Sequence, residues 1–179
     1  MKDLVIRPAL DADFESIWAI FCAHIEAGET YVFSTATSRE AGYHYWLGEG
    51  VGSFVAVSPG GRVLGMYRLV PNQVGRGYHV ANASYMVNPA AQGAGVGRAM
   101  GQHSLTEARS RGYLAMQFNH VVSTNGPAIG LWKKLGFSIV GTLPKAFRHK
   151  RLGYIDAYVM YQLLQDPDHW PTADDAPGG

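Results

Sequence analysis

The chain has a single cysteine, Cys22. That excludes an intramolecular disulfide framework and any metal site built from several thiolates. Cys22 stands among Ile20, Phe21 and Ile25, so its expected role is that of a small core residue rather than a nucleophile. Charge is also scarce, at 16% of residues, and balanced, with a formal net of +1. No block of basic residues supplies a field for a polyanion, so no nucleic-acid partner is expected. No apolar run approaches membrane-spanning length, and the opening MKDLVIRPAL lacks the apolar core of a signal peptide. A membrane partner is therefore not expected, and the expected compartment is the cytoplasm. The seven histidines show no metal-ligand spacing, so no metal is expected either.

What is abundant is apolar surface, at 47% of 179 residues, and glycine, at 22. That length suits one domain with a substantial core, expected over residues 1–165. The polar, proline-rich stretch 166–179, DPDHWPTADDAPGG, is expected to be a flexible tail. Leu4–Arg7 reads as a strand, and Phe14, Ile17, Trp18, Phe21 and Ile25 fall at helical spacing up to Gly28. Ser38 is placed to cap a second helix. Ser58-Pro59-Gly60-Gly61 reads as a hairpin turn between strands 53–57 and 63–70. Further strands are expected over 79–87, 113–118, 137–141 and 155–163, and helices over 95–111 and 127–135. TLPKAFRHKRLG, between the last two strands, reads as a long loop. The order of elements predicts a mixed α/β sandwich layered around one sheet.

The most informative stretch is Ser84–Met100, SYMVNPAAQGAGVGRAM. Strand-formers stop at Asn88-Pro89, a glycine-rich turn follows, and a helix begins near Arg98. Strand, glycine turn and helix together form a phosphate-holding layout. Small residues admit the ligand, and the helix's unpaired N–H groups point at it with the positive end of the dipole. A P-loop is excluded because no Lys-Ser/Thr pair follows the last glycine. The dinucleotide fingerprint is excluded by the G-x-G-x-G spacing and by the lack of a strand ending in an acidic residue about twenty positions on.

Gln92-x-x-Gly95-x-Gly97 instead resembles the pyrophosphate loop of the GNAT superfamily of N-acetyltransferases, which bind acetyl-CoA. A second block strengthens the resemblance. Asn125-x-x-Ala128-Ile129-x-Leu131-Trp132-Lys133-Lys134-Leu135-Gly136-Phe137 looks like the superfamily's N-x-x-A-x-x-L-Y-x-x-x-G-F. The two blocks stand in the right order, separated by a helix and a strand. TYVF and the C-terminal GTLPKAFRHKRLGYIDAYVMYQLL look like the branches acting on small amino-acid-like amines, such as the phosphinothricin acetyltransferases.

The resemblance implies the acyl-CoA N-acyltransferase fold, a mixed sheet of about seven strands flanked by about four helices. It implies acetyl-CoA as co-substrate, a small-molecule amine acceptor and a homodimer. Direct attack of a neutral amine on the thioester, with no acyl-enzyme, would be the reaction. In that reading Gln92, Gly93, Ala94, Gly95, Val96, Gly97 and Arg98 hold the pyrophosphate, and Asn125 bonds the pantetheine arm. Backbone N–H groups around Met86 and Val87 are the expected oxyanion donors. Trp132 stands where the family has a tyrosine acting as general acid, and an indole N–H cannot serve as an acid near neutral pH. It can donate a hydrogen bond to the cofactor's sulfur or a phosphate oxygen, so Trp132 is expected among the cofactor-binding residues. No isolated glutamate precedes the loop, so Asn119, Asn82 and Ser84 are the candidate catalytic groups. Ser123 is a further polar candidate, and His120 is set aside because strand alternation lets only one of Asn119 and His120 face the cleft. Glu29, Tyr31 and Phe33 are expected on the acceptor side. Arg148 is a candidate for pairing with an acceptor carboxylate. A CoA-binding regulator without turnover, or a peptide or protein N-acetyltransferase, are the alternatives.

Overall fold

The structure, a computed structural model, describes residues 4–170. Among the described residues seven strands form one sheet. In spatial order they are β1 (Val5–Pro8), β2 (Gly52–Val57), β3 (Val63–Pro71), β4 (Val80–Val87), β5 (Ala115–Val122), β7 (Gly153–Leu163) and β6 (Ser138–His149). Neighbours are antiparallel except β4 and β5. Helices α1 (Phe14–Ala27) and α2 (Arg39–Leu47) cover one face, and α3 (Val96–Ser110) and α4 (Gly126–Lys134) cover the other. The expected mixed α/β architecture is therefore present.

Each helix follows from local chemistry. α1 buries Phe14, Ile17, Phe21 and Ile25 along one stripe and ends at Gly28, whose φ of 63° is left-handed and suits a residue without Cβ. α2 begins where the Ser38 hydroxyl accepts the Ala41 N–H at 3.1 Å. Two apolar cores result. One packs α1 and α2 on Val55, Val57, Val63, Met66 and Met86. The other packs α3 and α4 on Tyr67, Ala81, Ala83, Met116 and Phe118. In the second core Trp132 of α4 touches Tyr85 (4.6 Å between ring centres) and Phe118 (4.8 Å), and Phe118 stacks on Phe137 (4.3 Å).

Three local readings are corrected. The expected loop after residue 141 is strand as far as His149, so Arg148 lies on β6 opposite Tyr154 rather than on a loop. Gly141 and Pro144 fall where the β6–β7 register shifts, at Ile139/Gly141 and Leu143/Phe147, and an edge strand absorbs such residues as bulges. β5 runs on to Val122, so Asn119 stands inside a strand. Finally, the β5–β7 register is irregular between Phe118 and Val121. Simple alternation fails there, and the exclusion of His120 by alternation fails with it.

Of the expected tail, Asp166–Trp170 is described. Pro167–His169 is a short 3₁₀ turn capped by Asp166, and Trp170 meets His79 edge-on at 5.6 Å. Residues 171–179 lie outside the described residues.

The start of α1 is tied to β1 by a bidentate pair, Arg7 donating to both oxygens of Asp13 at 2.7 and 2.8 Å. The Arg7 hydrogen bonds hold the Asp13 carboxyl below its ordinary range. A lowered carboxylate pKa contributes stability above the unfolded value, and that stability is lost as pH falls through the folded value. Asp13→Asn should therefore destabilise the protein at neutral pH by on the order of 1 kcal/mol, discounted for the half-exposed arginine. Melting temperatures should show the gap closing as pH falls below 3.8, the ordinary value. A gap independent of pH would mean that the pair contributes nothing.

Candidate active site between β4 and β5

The parallel β4–β5 ladder is short. It joins Val80 to Ala115, Ala81 to Met116 and Asn82 to Gln117, and the strands then part. Asn82 marks the last rung, its side-chain amide donating to the Gln117 carbonyl at 2.9 Å. Beyond it β4 has backbone groups with no strand to meet. Which ones follows from the other side of β4. Asn72 N–H bonds to Val80 O and Asn88 N–H to Leu64 O. In an antiparallel ladder, bonded pairs alternate with non-bonded ones. With the observed register, Met66–Met86 and Arg68–Ser84 are bonded pairs, whereas Tyr85 and Val87 turn their N–H and C=O away from β3 toward the gap. The expectation for Met86 is thereby corrected: its N–H is engaged by β3.

Side chains from the α1 side occupy part of this gap. The Tyr31 hydroxyl accepts the Tyr85 N–H at 3.0 Å and donates to the Tyr85 carbonyl. Burial pushes the Tyr31 phenol far above its usual range, so it is a neutral donor and acceptor, not an acid. His24 Nε2 meets the Val87 carbonyl at 2.8 Å. The Val87 N–H is left facing the gap.

The gap leads into the glycine loop. Gly93 and Gly95 have φ of 76° and 79°, conformations that favour glycine. Gly95 is the N-cap of α3 and contributes no side-chain cap, so the first-turn N–H groups of Val96, Gly97 and Arg98 await a ligand. Gln92, Gly93, Ala94 and Arg98 are exposed around this end. A Cβ on Gly97 would lie 3.6 Å from both Leu131 and Val87, an ordinary van der Waals contact, so packing of α3 on α4 and β4 does not itself demand glycine there. Asn125 caps α4, its side-chain oxygen accepting the Ala128 N–H at 3.3 Å. An uncapped 15-residue helix behind two left-handed glycines fits a pyrophosphate.

Trp132 is buried in the aromatic core. The neighbouring Tyr85 phenol is pushed up by burial, with its hydroxyl 2.6 Å from Ser104 Oγ. Neither ring is an acid near neutral pH.

On the opposite face the floor turns polar. Ser84 Oγ lies 2.7 Å from the Tyr45 hydroxyl. Gln117 donates to the Asn119 oxygen, and Asn119 to Asn72, both at 2.7 Å. Tyr31, Phe33 and Tyr45 pack on the α1/α2 core above it, Phe33 meeting Tyr45 at 4.7 Å. Two segments close over one another nearby. Arg151 reaches Glu29 at 2.6 Å, Lys150 N–H bonds to the Gly28 carbonyl at 3.0 Å, and His149 Nδ1 accepts the N–H groups of Arg151 and Leu152. Glu29 is thus committed to the β6–β7 turn. Arg148 is exposed, and Ser123 N–H bonds to the Asp156 carbonyl. His120, 6.1 Å from the Phe147 ring, has a buried Nε2 without a partner. Burial lowers its pKa, keeping it neutral near pH 7 and available as a proton acceptor.

Arg68 and Tyr45 were missed in the sequence. Arg68 is the one charged residue in VLGMYRLV, and period two places it on the face of Met66. That signal was legible. A separate open depression of about 330 Å³, lined by Pro8, Leu47, Phe54 and Arg111 among others, lies away from the gap. Its Arg111 is paired with Glu107 at 2.8 Å. No group of residues able to hold a metal occurs among the described residues, nor does any helix long and apolar enough to cross a membrane.

Comparison with known proteins gives the family and the fold. Residues 17–137 match the acetyltransferase (GNAT) family, and the chain belongs to that family. The chain is 36% identical over 115 residues to the N-acetyltransferase aca1 of Schizosaccharomyces pombe, covering 64% of this chain and 52% of that protein. It is 35% identical over 116 residues to the mycothiol acetyltransferase of Saccharomonospora viridis, covering 62% and 37% respectively. The chain thus spans about half or less of these curated relatives. A GCN5-related N-acetyltransferase structure from Kribbella flavida is 42% identical, with a TM-score of 0.87 over 90% of this chain and 98% of that one. The fold is also that of a phosphinothricin acetyltransferase from Sinorhizobium meliloti in complex with acetyl-CoA, 22% identical, with a TM-score of 0.84 over 97% and 96%.

Gly95→Val would force a β-branched residue into a left-handed conformation, at a cost above the roughly 1–2 kcal/mol typical of other residues. Isothermal titration with acetyl-CoA should show affinity falling by at least about tenfold, with the fold intact by circular dichroism. Unchanged affinity would remove the loop from the binding site.

Proposed function

We propose that this protein is an acetyl-CoA-dependent N-acetyltransferase that acetylates the primary amine of a small, amino-acid-like acceptor. One observation carries the reading. The gap after Asn82–Gln117 opens on one face to the uncapped start of α3 and on the other to the polar floor around Ser84 and Asn119. Two ligands can thus meet at one strand edge, and such positioning supplies several kcal/mol toward reaction.

Acetyl-CoA would supply the acetyl group as an activated thioester. Gln92, Gly93, Ala94, Gly95, Val96, Gly97 and Arg98 bind its pyrophosphate by backbone N–H groups and the dipole of α3. Asn125, with its oxygen committed to α4, has its amide N–H groups for the pantetheine arm. Val87 N–H faces the gap and stabilises the charge that develops on the carbonyl oxygen. Asn82, Ser84 and Asn119 orient the acceptor, with Tyr31 and Phe33 forming its apolar wall. His120 takes the amine's proton, its lowered pKa holding the ring neutral where a base is needed. No side chain need protonate the leaving thiolate, because a thiol's ordinary pKa of about 8.5 already makes it a tolerable leaving group. That removes the need for an acid at Trp132.

The acceptor loops are aromatic and closed by the Arg151–Glu29 and Lys150–Gly28 contacts, which favours a small acceptor over a peptide. The phosphinothricin-like branch remains part of this proposal, as do a cytoplasmic location and a homodimer. The exposed apolar side chains of Val140 on β6 and Tyr154 on β7 offer a surface for a second copy.

The test is thiol release from acetyl-CoA across amino acids, their analogues and polyamines, followed against pH. Turnover on at least one amine is expected, with the acidic limb lying below the ordinary histidine value of 6.5. Acetyl-CoA binding without turnover on any amine would favour a regulator or a peptide acceptor instead. No binding would refute the reading.

A further inference from the structure

The face of the sheet under α1 and α2 changes character along β3 and β4. At Val63, Met66 and Met86 it is apolar and buried. One bonded pair further along stand Arg68 and Ser84, followed by Val70 and Asn82. Arg68 is half-buried, its guanidinium carbon 4.0 Å from the centre of the Tyr45 ring. Its Nε is buried and has no hydrogen-bond partner. Among the described residues Arg7, Arg39, Arg111 and Arg151 each meet a carboxylate. Arg62, Arg76, Arg98, Arg109 and Arg148, which do not, are exposed. Arg68 alone is both withdrawn from solvent and without a carboxylate.

Withdrawing an unpaired cation from water is unfavourable, and stacking on an aromatic ring offsets only about 0.5–2 kcal/mol of that. The arrangement becomes favourable when an anion completes it. A guanidinium whose carbon sits 4.0 Å over the Tyr45 ring keeps its planar fork of N–H donors, the group that takes a carboxylate through two parallel bonds. The hydroxyls of Ser84 and Tyr45 stand beside it, 2.7 Å apart; one donates to the other, and the one that accepts keeps its own O–H for the same anion. Ser84 also adjoins Tyr85, whose backbone faces the gap, so an anion here lies on the acceptor side of the reacting centre.

We propose that Arg68, stacked on Tyr45 and flanked by Ser84, is the seat of the acceptor's carboxylate, and that the acceptors are amino acids rather than simple amines. This rests on the acetyltransferase reading for its chemistry and moves the carboxylate partner from the exposed Arg148 to Arg68. The preference for a carboxylate is set by a residue that takes no part in proton transfer.

The experiment compares each of a panel of L-amino acids with its own carboxamide, in the wild type and in Arg68→Met and Arg68→Lys. Two readouts are used: kcat/KM by thiol release, and calorimetric binding of the same compounds at saturating CoA. Wild type should favour the acid over the amide by roughly 10- to 100-fold, the size of a charge-assisted hydrogen bond. In Arg68→Met that ratio should collapse toward one, mainly through KM. Arg68→Lys should recover only part of it, because the fork is lost. A carboxylate ligand should raise the melting temperature of the wild type and not of Arg68→Met, whose acetyl-CoA affinity serves as the folding control. If no turnover occurs but amino acids bind over amides in an Arg68-dependent way, the catalytic reading fails and this site stands. Equal binding of acids and amides by the wild type, or an acid preference that survives in Arg68→Met, would overturn it.

Discussion

The parting of β4 from β5 after a three-rung parallel ladder is the constraint on which the rest of this structure depends. Backbone groups left facing a gap cost about 1–3 kcal/mol each if buried without partners. The chain meets this need selectively. Tyr31 bridges the N–H and carbonyl of Tyr85, and His24 meets the carbonyl of Val87. One gap-facing donor, the Val87 N–H, is left at the point where β4 hands over to the glycine loop. The aromatic core of Tyr85, Trp132, Phe118 and Phe137 braces the strands from behind.

The gap also separates two kinds of chemistry. On the α3/α4 face it presents backbone N–H groups and a helix dipole, which suit an anion without long side chains. On the α1/α2 face it presents side chains, Ser84, Asn82, Asn119, Arg68 and the aromatics above them, to which our proposal gives the selection of the acceptor. Over the second face the β6–β7 turn is pinned to the residues after α1 by Arg151–Glu29 and Lys150–Gly28. A helix terminus is a rigid site for an invariant group such as pyrophosphate. Side chains on a sheet floor can differ among relatives that share the fold.

What was legible in the sequence was what local chemistry determines. Gly95 needs a left-handed φ, Ser38 and Asn125 cap the helices that follow them, and the apolar spacing of α1 finds its core, all within a few residues. The misplaced features depend on partners distant in sequence. Whether Met86 or Val87 offers its N–H to the gap is set by the phase of β4 against β3, which no stretch of β4 encodes alone. β6 continues through Gly141 and Pro144 because β7 accepts bulges opposite them, with Lys145 at φ 53° and its N–H held by Asp156 at 2.9 Å. Asn119 and His120 escape alternation through the irregular β5–β7 register. Arg68 differs from these, because a lone charge in an apolar strand was visible all along.

Amide hydrogen exchange at residue resolution, with and without acetyl-CoA, tests the central claim most directly. Met86, bonded within the β3–β4 ladder, should be protected from exchange in both states. Val87 should exchange readily in the free protein and become strongly protected with acetyl-CoA, together with Val96, Gly97 and Arg98. Protection of Val87 in the free protein, or no change there while the helix start responds, would mean that the strand gap is not where the thioester lies.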